Sequence, residues 1–452
     1  MSILYLKNAI IATEEEVFTG GLVVEGERIV SLVKGSADVN ADQVEDLCGN
    51  LLLPGLVDDH VHFNEPGRTH WEGYLTGSMA AAAGGITTIL EMPLNSTPPT
   101  VNRAQLLRKR QAARDQAVVD YAQWGGLVNN NLEDLADLHE DGVIGYKAFM
   151  SNSGVDFERV DDDLLYAGLL FSGQVGNVIG LHAENEYVTR FLGEKMRAAG
   201  RTDRASWHES RPPESELEAI QRACYWAGVT KGNLHIVHIS IAEGIRAVEE
   251  AKKRGVSVTA ETCPHYLTLD QDDFVRLGPV AKCAPPLRTR QEVDALWECV
   301  LAGLVDTIAS DHSPCTWDEK AAGMTNIWKG WGGISGIQTM LPAIITEGVH
   351  KRGLPLTALV RMMSSNPARI FGLYPQKGAL QPGSDADFVV VDLDKEWTLT
   401  TNDLFYKNKH SPYVGYTFKG KVEQTYIRGK PVYKDGMIVV EPGYGKALRR
   451  RA

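Results

Sequence analysis

Apolar positions fall along this chain in two patterns. Runs of strand length occur at 52–59, 86–92, 121–128, 143–150, 177–183, 234–240, 256–262 and 305–310. Between most of them, apolar residues recur every three or four positions, the period of a helix with one buried face. Glu72 to Ala83, Glu214 to Gly228 and Ala242 to Arg254 are such segments, and the first stops at Gly84-Gly85, a usual helix end. Eight strand-length runs alternating with helices predict an α/β fold, a TIM-like (β/α)8 barrel, for which about 250 residues is the typical size. A doubly wound open sheet shares this alternation. No Gly-rich dinucleotide fingerprint follows a strand, and no internal repeat is visible.

The two ends read differently. Residues 1–50 contain short β-branched stretches broken by Gly-Glu turns, as in Val17 to Val33. The tail repeats the pattern with Asp387 to Asp392, Val422 to Val432 and Met437 to Val440, separated by Arg428-Gly429-Lys430 and Lys434-Asp435-Gly436. Residues 1–50 and 375–452 are therefore expected to meet in a small β-sandwich domain beside a barrel of residues 51–374.

Composition narrows the function classes. The chain has 452 residues, 43% hydrophobic and 23% charged, with a formal net charge of -12. That balance disfavours nucleic acid and anionic membranes as partners. Six scattered cysteines without a Cys-x-x-Cys pair read as reduced thiols. With no signal-like N-terminus and no apolar run of membrane length, a cytoplasmic protein is expected.

Chemistry concentrates at the carboxyl ends of the predicted strands, where a barrel carries its reactive groups. The first run ends in Asp58-Asp59-His60-Val61-His62. Alternate residues of a strand share a face, so His60 and His62 project together. The fourth run holds Lys147 among Ile144, Tyr146, Phe149 and Met150, where an ammonium must be paired, neutral or modified. The fifth ends in His182-Ala183-Glu184, the sixth in His235-Ile236-Val237-His238 and the eighth in Ser310-Asp311-His312-Ser313. His235 and His238 are three apart and cannot share a strand face, and His238, nearer the end, is the one expected in the mouth. Singly, His182 or His238 reads as a hydrogen-bonded structural histidine and Asp311 as a loop cap. Together, imidazoles and a carboxylate converging in one mouth match the ligand preferences of zinc and similar divalent ions.

With Asp58-x-His60-x-His62, Lys147, His182, His238 and Asp311 in that order, the chain resembles the cyclic-amidohydrolase branch of the amidohydrolase superfamily over nearly its whole length. Gly378 to Asp387 is similar to that family's passage from the barrel back to the small β domain. The resemblance implies two divalent metal ions per chain, with His60, His62 and Asp311 on the first and His182 and His238 on the second. Lys147, carboxylated by carbon dioxide to N6-carboxylysine, would bridge them. Zinc is the expected ion, and iron, cobalt or manganese suit the same ligands. A homotetramer is implied by the resemblance alone.

Within the branch, His62 to Tyr74, Glu91 to Thr100, Ser310 to Cys315 and Trp331 to Ile337 resemble the allantoinases. Dihydroorotases usually carry an arginine where Asn64 stands. Hydantoinases and dihydropyrimidinases usually have a tyrosine shortly after the bridging lysine, and Ala148 to Gly154 contains none. Scaffold relatives have lost metal ligands, all of which are present here. The implied reaction is metal-dependent hydrolysis of the hydantoin ring of allantoin to allantoate, a step of purine catabolism. Asp311 is the expected general base, moving a proton from the attacking hydroxide to the leaving ring nitrogen. A hydantoinase or dihydropyrimidinase is the alternative, and a non-catalytic scaffold a third reading. Asn95, Ser313 and Asn64 are the candidate substrate contacts, each asparagine being equally readable as an Asx turn. Backbone groups of Ala284 and Gly332-Gly333 are further candidates, and the Gly- and Trp-rich stretch 321–336 reads as a lid or an ordered surface loop.

Overall fold

Gly55 divides the first apolar run between two sheets. A Cβ there would come within 2.5 Å of Thr87 Cγ2, so only glycine lets the chain pass so close to its neighbour. In the computed structural model, which describes residues 2–450, Leu51–Pro54 belongs to the sheet of the chain ends and Leu56–Val61 opens the barrel. The barrel strands are β1 (Leu56–Val61), β2 (Ile86–Glu91), β3 (Asp120–Gln123, resumed at Gly125–Gly126), β4 (Tyr146–Phe149), β5 (Ile179–His182), β6 (Leu234–Ile236), β7 (Val258–Thr262) and β8 (Thr307–Ile308). All are parallel. β1 to β3 form one ladder, and the second piece of β3 through β8 another. The interval between β8 and β1 is crossed by the His62 amide donating to the His312 carbonyl at 2.8 Å and by the Ser310 amide donating to Asp58 Oδ1 at 3.0 Å.

The helices follow the predicted amphipathic segments closely, as Tyr74–Ala83, Pro213–Thr230 and Ala242–Lys253. The barrel interior is plugged by Trp124, which is fully buried. Gly145 and Gly180 make its room: a Cβ on either would approach the indole ring to 2.5 or 2.7 Å. Its Nε1 donates to the Asp59 carbonyl at 3.1 Å and so anchors β1 directly behind His60.

The chain ends form one nine-stranded mixed sheet. Leu51–Pro54 is its seam, parallel to Ile10-Ile11 on one side and antiparallel to Phe388–Val391 on the other. Leu6, Ile11, Leu22, Val24, Leu52, Phe388, Val390 and Tyr426 bury one continuous core within it. Where this sheet meets the start of β3, Lys377 is enclosed by Asp120, Asp385 and Asp387, and Arg428 also pairs with Asp120. Among the described residues no helix is long and apolar enough to cross a membrane.

Candidate metal centre

The strands end early, and the residues just beyond them turn inward. His238 and Asp311 take φ of 42° and 41°, and Asn64 and Asn95 take 65° and 61°, a region that side-chain-bearing residues seldom enter. Such strain persists where the surrounding structure over-determines it, and it gathers at functional sites. At His238, Asp311 and Asn95 it aims side chains into a cavity of about 370 Å³ at the carboxyl ends of the barrel, also lined by His60, His62, Lys147 and His182.

Two groups of donor atoms face each other there. His60 Nε2 and His62 Nε2 each lie 3.4 Å from Asp311 Oδ1, and the three side chains place one ligand atom apiece within 4.8 Å of one another. On the other side His182 Nδ1 and His238 Nε2 stand 3.0 Å apart. Lys147 Nζ is buried in the same cavity without a hydrogen-bond partner among the described residues. An unpartnered buried ammonium costs several kcal/mol, roughly 2–7 even for a neutral polar group, so Lys147 calls for an anionic partner, a neutral amine or a modification that removes its positive charge. Burial pulls Lys147 down to about 8 against the opposing pull of Glu261 and Asp311.

A further shell of hydrogen bonds fixes which nitrogen of His60, His62 and His182 faces the cavity, while His238 is held through its backbone and its Nδ1 has no hydrogen-bond partner among the described residues. Glu261 Oε1 accepts from His60 Nδ1 at 2.9 Å and from the His238 amide at 2.8 Å. Its Oε2 lies 3.1 Å from His235 Nε2, and His235 Nδ1 is 2.7 Å from Thr259 Oγ1. His235 thus points away from the mouth and braces the brace. His62 Nδ1 faces the Leu94 carbonyl at 3.4 Å. His182 Nε2 lies 2.8 Å from Glu184 Oε2, which Arg211 also holds. A carboxylate or carbonyl on the outward nitrogen is the usual companion of a metal-binding imidazole. Burial pulls His62 down to about 4 and His182 and His238 below their ordinary values, which keeps the rings neutral and able to coordinate. Burial alone would raise Asp311, but His60 and its neighbouring rings outweigh it and hold the carboxyl ionised.

Of the candidate substrate contacts, Asn95 and Ser313 line the cavity, with Asn95 Nδ2 3.5 Å from Ser313 Oγ. Ala284, Gly332 and Gly333 line it too. Asn64 lies apart from the lining, and its amide donates to the Pro314 carbonyl at 3.4 Å. Sequence reasoning does not single out Glu261, Arg211 or Trp207. The signal for Glu261 was the one that marked Lys147, an ionisable residue near the end of a buried strand. Arg211 and Trp207 come from the loop region after β5, where no periodicity points inward. A second acidic group, Asp120 with Asp385 and Asp387, is filled by the Lys377 ammonium.

Residues 51–432 match the model of the amidohydrolase family. The chain is 45% identical over 441 residues to an allantoinase of Rubrobacter xylanophilus, covering 95% of this chain and 96% of the relative. An allantoinase of Deinococcus radiodurans is 44% identical over 450 residues, with 99% of each chain covered, and one of Escherichia coli 42% identical over 435, with 95% of each. Among solved structures, an L-hydantoinase (dihydropyrimidinase) from Arthrobacter aurescens superposes with a TM-score of 0.97 at 35% identity over the full length of both chains. A dihydropyrimidinase from Brevibacillus agri gives 0.92 at 30% identity, covering 99% of this chain and 98% of its own.

Proposed function

The chain belongs to the amidohydrolase family, and from that membership we propose that it carries out the allantoinase reaction, hydrolysing the hydantoin ring of allantoin to allantoate. The observation that carries the choice of substrate is the 42–45% identity to allantoinases along nearly the whole chain, against 35% and 30% for the hydantoinase and dihydropyrimidinase structures. The end of β4 and the loop after it agree with it: Phe149, Asn152, Ser153 and Gly154 line the cavity, and among the described residues no tyrosine does.

The donor set suits a pair of divalent ions. Zinc is the ion proposed, with iron, cobalt or manganese accepted by the same ligands. His60, His62 and Asp311 would hold one ion and His182 and His238 the other. Bound there, the pair supplies an acidified water and a Lewis acid for the ring carbonyl. Lys147 would complete the site as a carbamate: the neutral amine adds through Nζ to the carbon of carbon dioxide, an N–C bond forms and one proton leaves. Its lowered pKa, about 8, increases the share of neutral amine available for that addition. The product is an anion where an orphaned ammonium would otherwise stand.

Asp311 is positioned to move the proton. Its Oδ1 faces both His60 and His62, and from there it takes a proton from the attacking water and delivers it to the ring nitrogen as the C–N bond breaks. Glu261 and Glu184 hold His60 and His182 in the required tautomers. Asn95 and Ser313 are the proposed hydrogen-bonding contacts to the substrate, and Asn64, engaged with Pro314, steadies the loop that carries Ser313. A homotetramer in the cytoplasm belongs to the same proposal, and light scattering in solution checks its stoichiometry.

The test is a panel of allantoin, hydantoin and dihydrouracil on protein of known metal content. Allantoin should be preferred by at least about tenfold in kcat/KM, a difference of ~1.4 kcal/mol in transition-state stabilisation. Preference for dihydrouracil or unsubstituted hydantoin would move the assignment to the hydantoinase branch.

A further inference from the structure

Two lysines that the reaction does not use are buried in the roof of the cavity. Lys282 and Lys320 are 3% and 1% exposed. Lys282 Nζ donates to the carbonyls of Ile327 at 2.8 Å and Gly330 at 2.6 Å, and lies 4.0 Å from the centroid of the Trp207 ring. Lys320 Nζ donates to the carbonyl of Trp331 at 3.0 Å and to that of Gly333. Four carbonyls of the segment 327–333 therefore turn towards two ammonium groups. The charged groups acting on Lys282 are Lys320 and Arg211, both cations, while the titratable groups facing Lys320 are the thiols of Cys315 and Cys283, which burial pushes up to about 12 and so keeps neutral. Main-chain dipoles and an indole face, rather than a carboxylate, receive these two charges.

A loop on the surface ordinarily satisfies its carbonyls with water. Placing two buried cations there instead is costly, and that cost is offset by the carbonyl contacts that hold the loop in one position. The inner surface of this segment is the reason to fix it. Gly330, Gly332 and Gly333 line the cavity with Asp311 and Ser313. Gly333 packs so closely that a Cβ would lie 2.6 Å from Ser313 Oγ, and the Ser313 amide donates to the Ile334 carbonyl at 2.9 Å. Trp331, which lines the cavity as well, rests its ring on Trp71 with centroids 4.6 Å apart. Ile327, Trp328 and Trp331 pack the segment through their side chains, but Gly330, Gly332 and Gly333, the stretch nearest Asp311 and Ser313, bring no side chain to fix their height.

We propose that Lys282 and Lys320 are positioning residues that set the height of the glycine roof, and with it the fit of the substrate ring over the proton-carrying Asp311. This rests on reading the cavity as a cyclic-amide site. Burial lowers Lys282 to about 7 and Lys320 to about 8, so Lys282 is about half neutral at pH 7, both charges are largely gone by pH 9, and the roof should loosen over that range.

The experiment compares native protein with Lys282→Met and Lys320→Met, and with the Gln variants, which keep a neutral donor, in case a Met variant does not fold. Each is checked for metal content and then measured for kcat, KM and protease cleavage within 321–336 at pH 7 and 9. The Met variants should raise KM for allantoin at least about tenfold with kcat within about threefold. The segment should be cleaved faster in them than in native protein at pH 7, and the pH-dependent rise in native KM should vanish. Unchanged KM and unchanged cleavage in both positions would overturn the proposal, as would an identical pH profile in native and variant protein. Cleavage does not depend on which ring is hydrolysed. If native protein leaves allantoin untouched while the variants still expose the segment, the substrate assignment fails and the role of the lysines stands.

Discussion

Asp311 and Glu261 illustrate how differently two buried carboxylates act within one cavity wall. Asp311 carries its charge beside two imidazole nitrogens and is the group through which the proton passes. Asp311→Asn should keep bound metal close to the native amount and lower kcat by about 10²–10⁴, the range of general acid–base catalysis. Elemental analysis beside steady-state rates reads both, and an active Asn variant would displace Asp311 from this role. Glu261 touches no substrate. Burial would raise it, but His60 and His235 outweigh burial and hold it at about 2, so it stays an acceptor for His60 Nδ1 and the His238 amide. Glu261→Gln should weaken metal binding by about 10–100-fold in a chelator competition. At this scale the ligands were legible because a histidine pair and a lone lysine are conspicuous in apolar runs. Glu261 was not, because a glutamate inside a strand has no fixed partner until β1 and β7 are brought across the barrel.

Each strand is shorter than the apolar run that announced it. The run 234–240 becomes β6 at Leu234–Ile236, and the remainder bends so that His238 can enter the cavity. Apolar periodicity reports burial, and residues beyond the ladder are as buried as those within it, so ends could not be placed from the pattern. The run 52–59 was similarly divided at Gly55, because burial does not say which of two sheets a strand joins. The glycines of β5 and of the turn into β4 make a prediction at the same scale. Gly180→Ala would place a Cβ 2.7 Å from Trp124 and should cost about 1–3 kcal/mol of stability by overpacking. Because Trp124 Nε1 holds the Asp59 carbonyl, metal affinity should fall with it. Denaturation of metal-free and metal-loaded protein separates the two effects, and loss of stability with unaltered affinity would mean that the plug does not govern the site.

The whole molecule is fastened where the terminal sheet meets β3. Lys377 is enclosed by three carboxylates, and removing it leaves them facing one another in a buried space. Lys377→Met should destabilise the protein by about 3–5 kcal/mol in chemical denaturation. The acid limb should change as well. Burial favours the neutral form of Asp120, but Lys377 and Arg428 outweigh it and hold the carboxyl below its ordinary range. That stabilisation is complete above the unfolded value of about 3.9 and is lost as pH falls through the lowered native value. The variant should therefore lose stability less steeply below pH about 4, and an unaltered slope would exclude Asp120 as its source. That the two ends meet was legible from their matching strand-and-turn composition; the ion cluster at their junction was not, since Asp120 lies 257 positions before Lys377 and nothing local ties it to the group at 377–387. The seam strand Leu51–Pro54 has a consequence during synthesis. Its antiparallel partner, Phe388–Val391, leaves the ribosome roughly 330 residues later, a delay on the order of tens of seconds at about 5–20 residues per second. For that interval the nascent chain carries an unpaired apolar edge at Leu51–Pro54, which makes this strand the natural holding point for a chaperone and the place where slowed translation would be felt as aggregation.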